Sequence, residues 1–416
     1  MRRQLEGSRA VAETVARCRP QVVPAYPISP QTHIVEALSV LVRRGELSPC
    51  EYLLVESEFA AMSACIGASA AGSRAYTATA SQGLLYMAEA LFNVSGLGLP
   101  VVMTVANRAV GAPINIWNDH SDTMSQRDAG WVQLYASSNQ EAADLHVQAF
   151  LLAERLSLPV MVCMDGFVLT HAVEEVDVPD QETVDAFLPP FDARQRLDPA
   201  HPVTIGAMVG PEAFMEVRYL LQAKHARVLD ELPRIAADFE TAFGRPSGGL
   251  VQPYLSEDAD VVLVAAGSVL GTAADVVDTL RAEGVRVGTL GISCFRPWPA
   301  EAVRDALAGA RQVVVLEKAF SVGSGGIIGP DVRLALAGSD VEVVEVVAGL
   351  GGRPVTSTSL TRLLHDVREG RLPPGRLHFW ELDAELVHRE LARTGRSGPH
   401  AENMIRDVGA IGAGSH

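Results

Sequence analysis

The chain has 416 residues, 48% hydrophobic and 20% charged, enough to bury large cores in two or three domains. Its formal net charge of −16 and pI near 5.1 argue against nucleic acid or an anionic membrane as a partner, while allowing a local cationic site for an anionic substrate. The five cysteines are scattered without a C-x-x-C pair, so no disulfide framework, zinc site or iron–sulfur ligand set is encoded.

The mixed, charged start MRRQLEGSRAVAETVA and the lack of a long apolar run predict neither a signal peptide nor a membrane helix, and hence a cytoplasmic chain. Up to Val178 short apolar runs alternate with amphipathic windows, the pattern of a parallel α/β sheet. Helices are predicted at Gly7–Ala16, Gln31–Arg44, Glu58–Ala71, Gln82–Ser95 and Gln140–Leu156. Strands are predicted at Gln21–Pro24, Tyr52–Val55, Ala75–Thr79, Val101–Ala106, Val132–Tyr135 and Val160–Met164. Residues 179–211, with several prolines and no sustained period, predict a crossing linker. Residues 212–243 predict a helix that Pro233 kinks or divides, and GRPSGG (244–249) a loop.

A second α/β unit opens near Asp258. Its parallel strands are predicted in VVLVAAGS (261–268), VRVGTLGI (285–292), QVVVLEK (312–318) and VEVVEVVAG (341–349), with a helix at Ala273–Glu283. Beyond residue 367 the apolar density falls and GAIGAGSH reads as a mobile end. Phe379, Trp380 and Leu382 are more apolar than a free tail requires, which predicts that this arm lies on a partner chain. The resulting division is 1–178, a linker and helical segment at 179–257, 258–366, and a C-terminal arm at 367–416.

Several segments carry polar groups where an α/β sheet places ligands. In AYPISPQT (25–32), Pro27 and Pro30 force a turn straight after the strand, fixing the Ser29 hydroxyl and the backbone around Ile28; Thr32 is placed to cap the next helix. The same features would serve a tight strand-to-helix connection. Glu58 begins a helix of small residues, ESEFAAMSACIGASAAG, that admits a close backbone or a flat ligand. A carboxylate there also complements the helix dipole, and Glu56 is an equally good capping residue. TATASQGLLYM (77–87) passes through Ser81, Gln82 and Gly83, a small polar turn open to a ligand and equally ordinary as a connection.

In VANRAVGAPINIWNDHSD (105–122), Arg108 is an isolated cation after an apolar strand, suited either to grip a carboxylate or to pair structurally with Asp119 or Asp122. Asp119, His120 and Asp122 crowd too closely for an obvious metal set, and no metal site is predicted. SVGSGGIIG (321–329) lacks both the Walker lysine and dinucleotide-type spacing, and reads as a tight turn.

Together these segments resemble the α subunit of the 2-oxoacid:ferredoxin oxidoreductase family, pyruvate synthase branch. The resemblance runs in order through LEGSRAVAE (5–13), AYPISPQTHIVEALS (25–39), VESEFAAMSACIGASAAGSRAYTATASQGL (55–84) and NRAVGAPINIWNDHSD (107–122). It continues through DGFVLTH (165–171), FGRPSGG (243–249), FRPWP (295–299), LEKAFSVGSGG (316–326) and GLGGRPVTS (349–357). It implies an α/β fold: a pyrimidine-type thiamine-diphosphate-binding parallel-sheet domain followed by a transketolase C-terminal-like α/β domain. It further implies coenzyme-A-dependent oxidative decarboxylation of pyruvate with electrons passed to ferredoxin, or the reverse synthesis. Glu58 maps onto the family's pyrimidine-contacting glutamate, Arg108 onto its substrate-carboxylate arginine and Ser29 onto a substrate-binding threonine. Pro27, Ile28, Ser81, Gln82 and Gly83 map onto the cofactor contacts.

No GDG is present, so the resemblance implies a β subunit that holds Mg2+ and the pyrophosphate of a shared thiamine diphosphate. It likewise implies γ and δ ferredoxin-like subunits, or fusions of them, carrying [4Fe-4S] clusters, with coenzyme A as co-substrate. Ser29 in place of threonine, Asn118 in place of glycine and the missing aromatic after Arg245 bear on which 2-oxoacid is used. Alternatives are another aliphatic 2-oxoacid such as 2-oxobutyrate, or a non-catalytic assembly subunit.

Overall fold

A computed structural model describes residues 2–413. The predicted mobility of GAIGAGSH concerns residues of which 414–416 lie outside the described range; helix His400–Ala413 runs through the rest.

The apolar runs of the first unit form one mainly parallel sheet. Its strands lie in the order Val132–Tyr135, Val160–Asp165, Val102–Asn107, Tyr76–Thr79. A bridge from Ala75 to Val22 continues it, in the same direction, to the parallel pair Val22–Ala25 and Glu51–Leu54. From Val22–Ala25 the chain steps outward to Glu51–Leu54 and then returns to the other side at Tyr76–Thr79. Connections that leave on opposite sides open a crevice at the strands' carboxyl ends.

Helix Asn139–Leu156 packs behind this sheet and is buried over nearly its whole length, Asp144, His146 and Gln148 included. Arg245 of the GRPSGG loop satisfies Asp144 with a two-pronged contact at 2.6 and 2.9 Å. The second unit is a six-stranded sheet, order Leu377–Phe379, Glu342–Val347, Gln312–Glu317, Val261–Ala265, Val287–Ile292, Val251–Tyr254, antiparallel at the last strand. The glycine-rich 321–329 segment is a turn, closed by Ser321 N–H donating to Gly325 O at 2.8 Å.

Several expectations change. Phe214–Phe243 is one undivided helix despite Pro233. Burial of Val228 and Leu232 on one side of the proline and of Ile235 and Phe239 on the other offsets a cost of about 3 kcal/mol. The window 82–95 is two helices, Ser81–Tyr86 and Ala88–Leu97, parted at Met87. The 179–211 linker contains helix Gln181–Phe187, capped by Asp180 accepting from Thr183 N–H. Trp380 packs on its own chain: Nε1 donates to Ser359 Oγ at 2.8 Å and Arg362 lies 4.9 Å over the ring, whereas Phe379 and Leu382 stay exposed. Cys294–Arg296 leaves the second unit and adds an antiparallel edge strand to the first sheet, beside Gln133 and Leu134.

A buried charge cluster locks the two units together. Asp165, at the end of Val160–Asp165, accepts from Lys318 Nζ at 3.0 Å, from Ser268 N–H at 3.0 Å and from the Ser268 hydroxyl, and its other oxygen meets His120 Nε2 at 2.7 Å. Burial alone would raise its pKa, but Lys318 and His120 hold the carboxyl well below the usual range. Lys318→Met leaves this buried carboxylate short of a cation and is expected to cost about 3–5 kcal/mol, with Lys318→Met/Asp165→Leu regaining part of the loss. Thermal unfolding of the full chain measures both; an unchanged midpoint in the single variant would show that the junction is held elsewhere.

Candidate functional site

Three strand ends converge at the crevice. After Ala25 the chain runs exposed through Tyr26 and Pro27, half-buries Ile28, exposes Ser29 and buries Pro30. Thr32 does not cap the following helix: it is the first residue of Thr32–Arg43, behind Gln31, whose side-chain amide donates to Tyr26 O at 2.9 Å and closes the turn instead.

Beyond Leu54 the cap of helix Glu58–Ala70 is Ser57, which accepts from Ala60 N–H at 3.1 Å. Neither glutamate caps. Glu56 is exposed; Glu58 is buried and its carboxylate makes no hydrogen bond to a described residue. It lies against Gly83, where a Cβ would come within 2.7 Å of Glu58 Oε1 and 2.6 Å of Thr79 Oγ1. A side chain at 83 would therefore displace the carboxylate. Ser81 enters its helix with φ near +48°, and its hydroxyl donates to Ala109 O at 2.6 Å.

Arg108 is buried, and the desolvation pulls its guanidinium below its ordinary pKa, with the charge of Asp122 opposing. Its Nε donates to Asn115 O at 3.2 Å and one terminal nitrogen donates to Ser29 O at 2.9 Å. The structural alternative of an ion pair with Asp119 or Asp122 is not what forms; both acids bind backbone. Asp119 accepts from the N–H groups of Ser121 and Gly351 at 3.0 Å, and Asn115 Nδ2 reaches Gly351 O at 3.1 Å. The glycine-rich 349–352 turn of the second unit thus buttresses the loop that follows Arg108. Around the crevice Tyr26, Phe59, Tyr86, Ile114 and Trp117 remain exposed.

Sequence reasoning missed the group that ties these pieces together. One oxygen of Asp122, fully buried, accepts from Ser81 N–H and Arg108 N–H, both at 3.0 Å; the other accepts from Asn107 Nδ2 and Thr123 N–H, both at 2.8 Å. Burial pushes its pKa up to about 6 despite these four donors. The signal available was a carboxylate in a segment dense with polar residues beside an isolated arginine, and spacing alone does not say that it would bind backbone. The Asp165–His120–Lys318 cluster escaped for the same reason: its members are 45 and 153 residues from Asp165 in sequence.

Asp122 aligns the turn at Ser81 with the backbone of Arg108. Asp122→Asn keeps the size but replaces one acceptor oxygen with a donor facing N–H groups, so the turns at Ser81 and Arg108 are expected to lose their alignment, by about 1–3 kcal/mol of stability, with the fold retained. The raised pKa fixes the sign of this group's pH effect: Asp122's contribution to stability falls as pH climbs from about 4 to 6, where the folded chain gives up a proton already lost in the unfolded one, and levels off above. The thermal midpoint of the asparagine variant minus that of wild type should rise over that window; a pH-independent difference would remove Asp122 as a titrating group.

Residues 13–234 match the family model described as pyruvate flavodoxin/ferredoxin oxidoreductase, thiamine diP-bdg, and residues 259–360 match pyruvate:ferredoxin oxidoreductase core domain II. The chain is 48% identical over 370 residues to pyruvate synthase subunit PorA of Methanosarcina barkeri, covering 88% of this chain and 92% of that one. It is 43% identical to pyruvate synthase subunit PorA of Pyrococcus furiosus (91% and 96% covered) and 37% identical to ketoisovalerate oxidoreductase subunit VorA of Pyrococcus horikoshii (89% and 94%). The fold is shared, with a TM-score of 0.70 at 20% identity, by the 2-oxoglutarate:ferredoxin oxidoreductase of Magnetococcus marinus, solved with 2-oxoglutarate, coenzyme A and succinyl-CoA bound. That match covers 88% of this chain and 65% of the solved one.

Proposed function

The chain belongs to the pyruvate flavodoxin/ferredoxin oxidoreductase family, and we propose that it is the α-type subunit of a pyruvate synthase, presenting the pyrimidine-facing half of a thiamine diphosphate site. One observation carries this reading. At the crevice of a parallel sheet lies a buried carboxylate with no hydrogen-bond partner among the described residues, Glu58, set against a glycine that leaves no room for a side chain.

Thiamine diphosphate supplies the nucleophilic carbon and the electron sink that decarboxylation of a 2-oxoacid needs. Glu58 would meet a ring nitrogen of the pyrimidine and hold or pass a proton at its carboxyl oxygen. Gly83 and the tight turn through Ser81 and Gln82 would leave space for a flat ring, and Pro27 and Ile28 would add contacts to it. Arg108 has spent two of its N–H groups on backbone carbonyls, which aims the guanidinium and leaves the rest for the carboxylate of the 2-oxoacid. Ser29, exposed beside it, donates its hydroxyl to the same substrate.

The sequence has neither a GDG motif nor a cysteine cluster, so Mg2+, the pyrophosphate contacts and the iron–sulfur clusters are assigned to β, γ and δ partner chains, with ferredoxin as acceptor and coenzyme A as co-substrate. The exposed apolar side chains rimming the crevice are the surface expected to receive the β chain. The 37% identity to a ketoisovalerate oxidoreductase subunit favours a second reading, a branched aliphatic 2-oxoacid in the same site.

Co-expression with its partner chains and a coenzyme-A-dependent viologen assay, with pyruvate against 3-methyl-2-oxobutanoate, decides between them; turnover of neither ends both readings. In that complex Glu58→Gln is expected to lower turnover roughly 10²–10⁴-fold and to slow deuterium exchange at the thiazolium C2, with Glu56→Gln close to wild type. Normal exchange in the Glu58 variant would mean that another group moves the proton. Arg108→Ala should raise KM for the 2-oxoacid by about 1.5–3 kcal/mol equivalent, with Arg108→Lys rescuing only partly. Unchanged kinetics would place the substrate carboxylate elsewhere.

A further inference from the structure

Outside the contacts of Glu58 and Arg108 described above, the fold gathers three side chains of metal-ligating type from three separate segments of the first unit. Glu6 ends the N-terminal strand Arg2–Glu6, His33 is the second residue of helix Thr32–Arg43, and His171 follows the turn after Asp165. Their ligand atoms all lie within 4.8 Å of one another. His33 Nδ1 is 2.6 Å from Glu6 Oε1, and the two imidazole rings lie 4.7 Å apart, centroid to centroid.

We propose that Glu6, His33 and His171 form a binding site for a divalent transition-metal ion of the zinc class. Two imidazoles and one carboxylate are the donor set that selects such an ion over Mg2+ or Ca2+, which prefer oxygen throughout. Three protein ligands leave a coordination position for water or an anion.

The surroundings are those of an oriented ligand set. His171 Nδ1 is 2.7 Å from Thr170 Oγ1, and its Nε2 has no hydrogen-bond partner among the described residues; that hydroxyl in turn accepts from Phe167 N–H at 2.8 Å. Phe167 lies against His171 at 4.8 Å on one side and against Trp117 at 4.9 Å on the other. His33 is a half-exposed ring, so an ion can enter from solvent. A simple His33–Glu6 ion pair would account for two of the three residues, and not for the second imidazole facing the first. The ion would clamp the N-terminal strand to the start of the helix that follows the 26–31 turn, and both to the end of DGFVLTH. The assignment does not depend on the reaction proposed above.

The test uses the full chain, stripped with a chelator and titrated with Zn2+ against a chromophoric competitor. One equivalent is expected to bind with a dissociation constant on the order of micromolar or tighter, weakened roughly 100-fold or more in His33→Ala and in His171→Ala, each checked for folding by circular dichroism. Because either variant could perturb the turn, Co2+ is added to wild type as well. Intense visible d–d bands of a four- or five-coordinate ion support the site, and the pale spectrum of hexa-aquo Co2+ overturns it. Stoichiometry identical in wild type and His33→Ala/His171→Ala, or binding weaker than about 100 µM, also overturns it.

Discussion

Burying the charge of Asp165 is the constraint on which the rest of the arrangement depends. A carboxylate taken fully out of water must be met by cations and donors, and here these come from both units: His120 from the first, Lys318 and Ser268 from the second. Lys318 also reaches Asn118 Oδ1 at 2.5 Å, and its carbonyl receives the N–H of His120 at 2.9 Å. The loop that follows Arg108 is thereby pinned at its far end. The short helix Ser121–Ser125 then begins at a fixed place, and Asp122 falls where it can take the backbone N–H groups of Ser81 and Arg108.

The two buried aspartates are forced in opposite directions by what surrounds them. Asp165 faces the Lys318 ammonium and the His120 ring and stays charged well below the usual range; Asp122 faces neutral N–H groups and rises to about 6. Neutral dipoles can align a carboxylate but compensate its desolvation less than formal charges do. One site is therefore a lock. The other is an aligning device whose hold depends on its protonation.

Much of this was legible in the sequence. Apolar runs bounded by turn residues placed the central strands to within about three residues, whereas Arg2–Glu6, Val173–Asp177, Val251–Tyr254, Cys294–Arg296 and Leu377–Phe379, short or at sheet edges, went unpredicted; the small polar stretches at 26–31 and 80–83 do follow neighbouring strands at the carboxyl edge of the sheet. Glu58 could be separated from Glu56 only with the helix phase known, because both precede the same small-residue run and Ser57 takes the capping role. Pro233 misled because local backbone cost is weighed against burial that a sequence does not display. Side-chain-to-backbone contacts, such as those of Asp122 and Gln31, leave no periodic trace. Glu6, His33 and His171 come from three separate stretches of chain, so no spacing rule brings them together.

The antiparallel strand Cys294–Arg296 has a consequence for how this chain is made. Val132–Tyr135 emerges from the ribosome with one side of its backbone unpaired, and the segment that seals it is synthesised some ten seconds or more later. During that interval the nascent first sheet carries an open edge that invites pairing with another chain. Neither half can therefore be exchanged with a relative's as a self-contained module: a cut near residue 258 severs a strand from the sheet it completes. Recombination between relatives should succeed where the crossover keeps residues 132–135 and 294–296 from one parent.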